Sequence, residues 1–246
     1  ADQARRGAVG DAVHLRGLIE FSNNCRRSCG YCGLNVGNRA VTRYRMTADE
    51  ILECAHQAVE YGYGTVVLQS GEDFGYDADW LTHVIQRIKS ETPLAITLSV
   101  GERHDDELEA WRNAGADRYL LRFETSDPQL YKRIHPDVGN ELSNRVNLLR
   151  RLRDMGYEVG SGVMVGIPGQ TYSILASDIE LFRELDLDMI GVGPYIAHDD
   201  TELGQMSHSA GQNQEEQTPN TELMTYKVVA LPGLVCPRIN FPSTTA

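Results

Sequence analysis

The stretch Cys25-Arg26-Arg27-Ser28-Cys29-Gly30-Tyr31-Cys32 governs the interpretation of the whole sequence, because its cysteines have the spacing C-x3-C-x2-C. Three thiolates this close in sequence can converge on one face of an iron–sulfur cube. A 4Fe–4S cluster has four irons, so three cysteines leave one iron without a protein ligand. That iron is open to a small molecule.

Zinc and disulfides are the alternatives for this cysteine loop. Structural zinc usually takes four ligands in two separated pairs, and no second Cys or His pair lies at a matching distance in the sequence. Three neighbouring cysteines are an odd number for disulfides, and nothing in the sequence suggests secretion. The spacing therefore favours an iron–sulfur cluster.

Composition narrows the class of protein. The 246 residues fit one α/β barrel domain, and 41% of them are hydrophobic, enough for a sizeable core. The net charge is −12 and no Lys/Arg run stands out, which argues against a nucleic-acid partner. No apolar run has membrane-spanning length and no signal peptide is visible. The five cysteines lack a paired framework, so we expect a reducing, cytoplasmic compartment.

Both ends of the sequence look cut. Ala1 is not a start methionine, and residues 240–246 resemble a strand that is just entering a loop. We therefore expect coding sequence to be missing at both ends, with residues 1–12 forming a partial N-terminal segment of a single domain over residues 1–246.

Strand and helix patterns alternate along the chain. An apolar-rich stretch from His14 to Phe21 predicts a strand directly before the cysteine loop. Thr47 and Glu50 form a capping box that predicts a helix ending at Gly62. Further strands are predicted at 65–70, 94–99, 117–124, 157–165, 188–194 and 238–242. Further helices are predicted at 79–89, 105–114, 143–155, 173–185 and 221–231.

This alternation with short links predicts a parallel sheet, because each crossover helix must return the chain to the same end. Seven strands without a second pattern favour a (βα) barrel or partial barrel. Residues 198–220 are polar and are predicted to be a surface loop. In a barrel the active site lies at the carboxyl ends of the strands, where the cysteine loop also falls.

Polar residues occur at several predicted strand ends. Gln69 belongs to Gln69-Ser-Gly-Glu72, which is either a ligand-binding segment or an ordinary turn. Glu124 is a candidate partner for a ribose diol or an ammonium group, or else for Arg122 or Arg145 in a rim ion pair. The glycine-dense segment 161–171 lets backbone approach a ligand closely, and it is not a P-loop because no Lys-Ser/Thr pair ends it.

With Tyr31 at the aromatic position, the loop resembles the C-x3-C-x-aromatic-C signature of radical S-adenosylmethionine (SAM) enzymes. The resemblance implies a 4Fe–4S cluster whose fourth iron is chelated by the amino and carboxylate groups of SAM. In that family the reduced cluster splits SAM into methionine and a 5′-deoxyadenosyl radical. Gln69-Ser-Gly-Glu72 resembles the segment that holds the SAM amino group there.

Within this family the sequence is most similar to FeFe-hydrogenase maturases, through segments such as 19–23, 43–47, 68–73, 115–122, 164–171 and 188–194. The resemblance implies a TIM-type (βα) barrel with about seven of its eight units present. It implies that the cluster is held by Cys25, Cys29 and Cys32. It implies that SAM is contacted by Tyr31, Gln69, Thr97, Glu124 and Arg145, and that a substrate anion is bound by Arg122, Thr244 and Thr245.

The resemblance also implies a function. The expected reaction is radical attack on a small sulfur-containing substrate, a cysteine-bound iron, during assembly of the hydrogenase di-iron site under low oxygen. The expected partners are an electron donor such as ferredoxin or flavodoxin and other hydrogenase maturases, with no nucleic acid and no membrane. The alternatives are a biotin synthase-like or methylornithine synthase-like enzyme, and an iron–sulfur scaffold without turnover.

Overall fold

Parallel strands in sequential order form the sheet of the computed structural model, which describes residues 1–138, 143–209 and 216–242. Each strand pairs with the next in the chain, as in a sheet built from successive βα units. The strands are β1 (Gly17–Ser22), β2 (Thr65–Ser70), β3 (Ala95–Ser99), β4 (Arg118–Leu120), β5 (Glu158–Val165) and β6 (Met189–Pro194). The predicted α/β class and parallel sheet are confirmed.

Helices follow the strands. They are α1 (Asp2–Val9), α2 (Ala48–Glu60), α3 (Ala78–Glu91), α4 (Asp105–Ala114), α5 (Pro128–Ile134), α6 (Arg145–Asp154), α7 (Tyr172–Glu184), α8 (Glu202–Ser209) and α9 (Glu222–Val235). The capping box that starts α2 is present, with the Thr47 side chain accepting from the Glu50 backbone N–H. Gly115 ends α4 with φ +113°, which a residue with a Cβ rarely adopts. No helix in the described ranges has the length and apolar character of a membrane span.

The core lies between the sheet and its helices. Leu68 and Leu98 on the sheet and Ile85 and Trp111 on the helices are all fully buried. Because successive side chains on a strand point to opposite faces, the neighbours of the buried strand residues point into the barrel. This inner face carries the polar residues Glu20, Gln69, Thr97, Arg122 and Glu124.

Two strands differ from the sequence expectation. β4 is only three residues long, and the chain beyond it returns to β5 through a single bridge between Glu124 and Val163. Residues 238–242, expected as a seventh strand, form one parallel bridge between Asn240 and Met189. Pro242 lacks the backbone N–H that a longer ladder would need.

The segment 198–220 also differs from the expected surface loop. It contains α8, and its residues Thr201 and Leu203 are buried. The Leu203 backbone N–H donates to the Gly30 carbonyl at 3.0 Å, and its side chain packs on Gly30. This part of the segment therefore lies against the cysteine loop. The contact buries the Leu203 side chain.

Close packing of β5 on β6 gives a stability prediction. A Cβ added at Gly162 would lie 2.0 Å from the Gly191 carbonyl oxygen, which is backbone and cannot rotate away. We expect Gly162→Ala to lower the free energy of unfolding by about 1–3 kcal/mol in urea titrations. Gly64→Ala is the control, because a Cβ there meets open space. Equal unfolding free energies for the two variants would contradict the packing argument.

Candidate cofactor site

The cysteine loop follows the carboxyl end of β1, and all of its cysteines are free. Cys29 is buried, with 7% of its surface exposed, while Cys25 and Cys32 are partly exposed. The middle of the loop is fixed by the Gly30 backbone N–H, which donates to the Ile134 carbonyl at 2.9 Å. The helix after β4 therefore positions Cys29.

Arg43 holds the two sides of the loop together. Its guanidinium donates to the Asn23 carbonyl before the cysteines at 2.5 Å. It also donates to three carbonyls after them, those of Leu34 at 3.0 Å, Asn35 at 2.9 Å and Asn38 at 3.2 Å. Arg43 therefore joins the chain before the cysteines to the chain after them.

The arrangement of the loop sulfurs bears on whether they could bind one zinc ion. Three thiolates on one zinc would lie about 3.8 Å apart, given Zn–S bonds of about 2.3 Å in a tetrahedron. Among the described residues, the cysteine sulfurs are not a set of ligand atoms that all lie within 4.8 Å of one another. Among the described residues, these sulfurs therefore do not form the compact set that a single zinc ion would need.

The thiols lie in a protected environment. Burial raises the pKa of the Cys29 thiol to about 12, against the opposing effect of the Arg145 charge. Burial likewise raises the pKa of Cys32. A metal ion displaces the proton of such a thiol, because the metal ligand is the thiolate. The donor set therefore fits a resident cluster.

Glu124 has a strained backbone at the inner face of the barrel. Its φ is +64°, in the left-handed region that a glutamate rarely occupies. The side chain is buried, and its Oε2 has no hydrogen-bond partner among the described residues, although Arg122 Nη2 lies 3.2 Å away. Backbone strain of this kind concentrates at functional sites. Glu124 therefore combines a strained backbone with a buried carboxylate beside Arg122.

Arg145 lies at the start of α6, and each of its three guanidinium nitrogens donates a hydrogen bond. Its Nε donates to Glu102 Oε1 at 3.0 Å, its Nη1 to the Arg122 carbonyl at 2.7 Å, and its Nη2 to His135 Nε2 at 2.6 Å. Since a guanidinium only donates, His135 accepts through Nε2. Burial and the charge of Arg145 lower the pKa of His135 to about 2, so the imidazole is neutral.

A buried charge network joins this arginine to the cysteine loop. Glu72 Oε2 accepts from Arg27 Nε at 2.5 Å, and Glu102 Oε1 lies 3.2 Å from Arg27 Nη2. The ligand atoms of Glu72, Glu102 and His135 lie within 4.8 Å of one another, as in a cation site. Two guanidinium groups already occupy these carboxylates, so the set is an ion-pair network and not a metal centre.

The other predicted SAM contacts, Tyr31, Gln69 and Thr97, have the following surroundings. Tyr31 packs on a small apolar cluster with Met164 and Ile167. Burial, with a smaller contribution from the Glu124 carboxylate, raises the pKa of Tyr31. Gln69 Nε2 donates to Glu20 Oε1 at 3.2 Å across the β1–β2 pair. Thr97 is buried on β3.

The predicted substrate-anion residues have different outcomes. Arg122 Nη2 donates to the Val163 carbonyl at 2.6 Å and lies beside Glu124. The ion pair that the sequence allowed for these two residues is therefore present. Thr244 and Thr245 lie outside the described residues.

Several buried side-chain polar atoms have no hydrogen-bond partner within the described chain. They are Thr97 Oγ1, Arg122 Nε, Glu124 Oε2, Tyr195 Oη and Arg27 Nη1. Buried polar groups are rarely left without hydrogen bonds, so a bound polar ligand is the natural partner for such a group of atoms. These unsatisfied donors and acceptors are compatible with a bound polar ligand such as SAM.

Asp178 is a supporting residue that the sequence did not reveal. It accepts from the Ser126 backbone N–H at 2.5 Å and from Gln170 Nε2 at 3.3 Å. Gln170 also accepts from the Gly166 backbone N–H at 2.7 Å. These contacts shape the glycine-dense turn after β5. Asp178 lies on α7 at a position that looks like an ordinary helix residue in the sequence.

Comparisons with known proteins agree with this geometry. Residues 19–182 match the model of the radical SAM superfamily. The [FeFe] hydrogenase maturase subunit HydE of Thermotoga maritima is 47% identical over 246 residues, covering 100% of this chain and 67% of that protein. Biotin synthases are among the further relatives. The chain spans about two thirds of the length of curated relatives that it matches.

Solved structures share the fold. Methylornithine synthase superposes with a TM-score of 0.83 at 28% identity, over 98% of this chain and 67% of that one. HydG, a maturase of the [FeFe]-hydrogenase, superposes with a TM-score of 0.81 at 17% identity, over 99% of this chain and 54% of that one. The HydG match supports the fold alone, and together the matches confirm the TIM-type architecture.

Proposed function

The chain belongs to the radical SAM superfamily and is a radical SAM enzyme, and from this premise we propose that it serves assembly of the FeFe-hydrogenase di-iron site. The observation that carries the proposal is the 47% identity to a HydE maturase along the whole chain. The proposed substrate is a small sulfur-containing molecule, a cysteine-bound iron, that is attacked by a radical.

The family implies a 4Fe–4S cluster and SAM. Cys25, Cys29 and Cys32 would ligate three irons, leaving the fourth for SAM. When bound, this pair of groups supplies a 5′-deoxyadenosyl radical through reductive cleavage of SAM. The chain's own part is to hold these groups, to orient them and to exclude water.

The residues around the loop have separable roles in this proposal. The α8 segment shields the loop through Leu203 on Gly30. Arg145 is fixed by three acceptors and carries its charge to the cavity wall. Glu124 and Thr97 offer to the polar groups of SAM oxygens that have no hydrogen-bond partner in the described chain. Tyr31 and Gln69 complete the proposed SAM contacts.

Arg122 is the proposed anchor for a substrate anion, with Thr244 and Thr245 as further donors. Its Nε is buried and has no partner in the described chain, while its Nη2 is held by the Val163 carbonyl. A guanidinium held at one nitrogen is oriented, so its remaining N–H groups point in defined directions, which suits recognition of a carboxylate.

The proposal includes partners and a compartment. A one-electron donor such as ferredoxin or flavodoxin must reduce the cluster, and other hydrogenase maturases would receive the product. All five cysteines are free, which supports a reducing cytoplasm with little oxygen.

The function is tested in two stages with anaerobically reconstituted protein. SAM and dithionite should yield 5′-deoxyadenosine and methionine. The protein should then restore hydrogen evolution in a cell-free maturation mixture that lacks HydE. SAM cleavage without restored maturation would favour a biotin synthase-like or methylornithine synthase-like reaction, and metal binding without SAM cleavage would favour a scaffold.

A substitution separates substrate chemistry from SAM cleavage. We expect Arg122→Leu to lower the ratio of substrate-derived product to 5′-deoxyadenosine by about tenfold to a hundredfold. The basis is that one lost charged donor costs about 1.5–3 kcal/mol. Arg118→Leu is the matched control, because Arg118 points to the same face of the strand but pairs with Glu158 at the other end of the barrel. A ratio that is unchanged in Arg122→Leu would show that the anion site lies elsewhere.

A further inference from the structure

The backbone at Glu124 forms a rare kind of turn. The Thr125 backbone N–H donates to the Phe123 carbonyl at 2.8 Å, and Glu124 between them has a φ of +64°. A hydrogen bond that closes around one residue of positive φ is typical of a γ-turn that is rare and strained. Such a conformation persists only where the surrounding structure holds it. The contacts of this turn therefore decide where the Glu124 carboxylate lies.

On one side, the backbone of Glu124 is fixed by β5. Its N–H donates to the Gly162 carbonyl at 3.0 Å, and its carbonyl accepts from the Met164 N–H at 3.3 Å. The strand β4 ends earlier, at Leu120. The chain that continues from Glu124 into residues 125–126 therefore needs partners other than a continuous strand ladder.

Asp178 on α7 holds this continuing chain. Its Oδ1 accepts from the Ser126 backbone N–H at 2.5 Å and from the Ser126 hydroxyl at 2.6 Å. The Thr125 hydroxyl lies 3.5 Å from the same oxygen. Because Asp178 is fully buried, water does not compete for these bonds.

The same carboxylate also reaches the β5 side of Glu124, through Gln170. Asp178 Oδ2 accepts from Gln170 Nε2 at 3.3 Å, and this amide also donates to the Met164 carbonyl at 3.0 Å. Met164 is the residue whose N–H bonds to the Glu124 carbonyl. One carboxylate therefore fixes the chain on both sides of the strained residue.

Burial of the Asp178 charge opposes folding. It raises the pKa of Asp178 to about 6, although hydrogen bonds from Ser126 and Gln170 lower it. Desolvation of the carboxylate thus outweighs the hydrogen bonds that it accepts. The contacts of Asp178 are therefore better explained by positioning than by stability.

We propose that Asp178 is a positioning residue that holds the strained turn of Glu124 and so orients the Glu124 carboxylate. The inference rests on the proposed function where it assigns Glu124 to SAM, and Asp178 itself touches neither SAM nor the cluster. Without the hydrogen bonds of Asp178, residues 125–126 can shift and the φ of Glu124 can relax. The carboxylate then loses its orientation beside Arg122.

Urea unfolding of the apoprotein tests the positioning without a cofactor. Glycine adopts a positive φ without strain, so Glu124→Gly relieves strain only while the turn is held. We expect Glu124→Gly to shift the unfolding midpoint less favourably in an Asp178→Ala background than in wild type.

Leu175→Ala is the matched control background. Leu175 is buried on the same helix and packs in an apolar cluster with Val165 and Val228. The substitution therefore destabilises α7 without removing a hydrogen bond to residues 125–126. In this background Glu124→Gly should shift the midpoint as it does in wild type, because a merely structural residue is not coupled to the strain at Glu124.

Anaerobic calorimetry with SAM measures the consequence for binding. Asp178→Ala should raise the Kd for SAM about tenfold or more, since a displaced binding group loses much of its effect. Leu175→Ala should leave this Kd unchanged. Adding Glu124→Gly to Asp178→Ala should weaken binding little further, because both changes remove the same contact.

The outcomes separate this inference from the proposed function. Equal midpoint shifts in the wild-type and Asp178→Ala backgrounds would overturn the inference, as would unchanged SAM binding in Asp178→Ala when Glu124→Gly binds weakly. If wild type binds no SAM, the proposed function fails and the unfolding comparison still decides the role of Asp178. If Asp178→Ala does not fold, Asp178→Asn replaces it in the same comparisons. Its amide cannot accept from Gln170, and its neutral oxygen holds Ser126 less strongly.

Discussion

Replacing Cys29 with alanine is expected to remove most of the iron and, with it, SAM cleavage. Cys29 is the most buried of the loop cysteines, and the backbone beside it is fixed by hydrogen bonds with Ile134 and Leu203. The loop cannot move another residue into its place. Two remaining thiolates cannot hold a cluster that needs three, so iron should fall from about four per chain to below about one.

The measurement is iron and sulfide content together with the charge-transfer absorption of the reconstituted protein. Cys54→Ala is the matched control, because Cys54 lies on α2 as a free thiol packed on the core. It should keep its iron. Full iron content in Cys29→Ala, or zinc bound in preference to iron by wild type, would rule out the cluster.

Replacing Glu124 with glycine is expected to weaken SAM binding and to stabilise the fold at once. Loss of the carboxylate removes a charged acceptor worth about 1.5–3 kcal/mol, so the dissociation constant for SAM should rise by about tenfold to a hundredfold. Glycine adopts a φ of +64° without strain, so the free energy of unfolding should rise by about 1 kcal/mol.

Anaerobic calorimetry for SAM and urea unfolding for stability measure the two effects. Glu124→Gln is the control that keeps the size and the strain but loses the charge, so it should weaken SAM binding without stabilising the fold. If the glycine variant binds SAM like wild type, Glu124 only pairs with Arg122 and does not contact SAM. A glycine variant less stable than wild type would show that the Arg122 pair outweighs the strain.

Sequence motifs formed by neighbouring residues predicted most of the helices and strands. The Thr47–Glu50 capping box and the helix-ending Gly115 depend on neighbours in sequence, and both are present. Residues 238–242 have a strand-like sequence but form only one bridge, because a strand also needs a partner ladder. Leu203 looked like part of a polar loop, yet it is buried against Gly30 from a distant part of the chain.

In the candidate site, too, the features formed by neighbouring residues could be predicted and the contacts between distant residues could not. The cysteine spacing pointed to a cluster because its ligands are adjacent in sequence. Arg27, Glu72 and Glu102 come from three separate segments, and nothing local states that they meet. Their positions directly after strands β1, β2 and β3 were the available signal, since parallel strands end at one edge. Pairing within that edge depends on side-chain geometry, which the sequence pattern does not encode.

The hydrogen bonds of Arg43 bear on the order in which the site is assembled. Its four carbonyl partners tie the chain before the cysteines to the chain after them, and none of these bonds involves a thiol. This part of the loop is therefore ordered by contacts that do not depend on a bound group. Ordering the backbone before a ligand arrives lowers the entropic cost of binding that ligand.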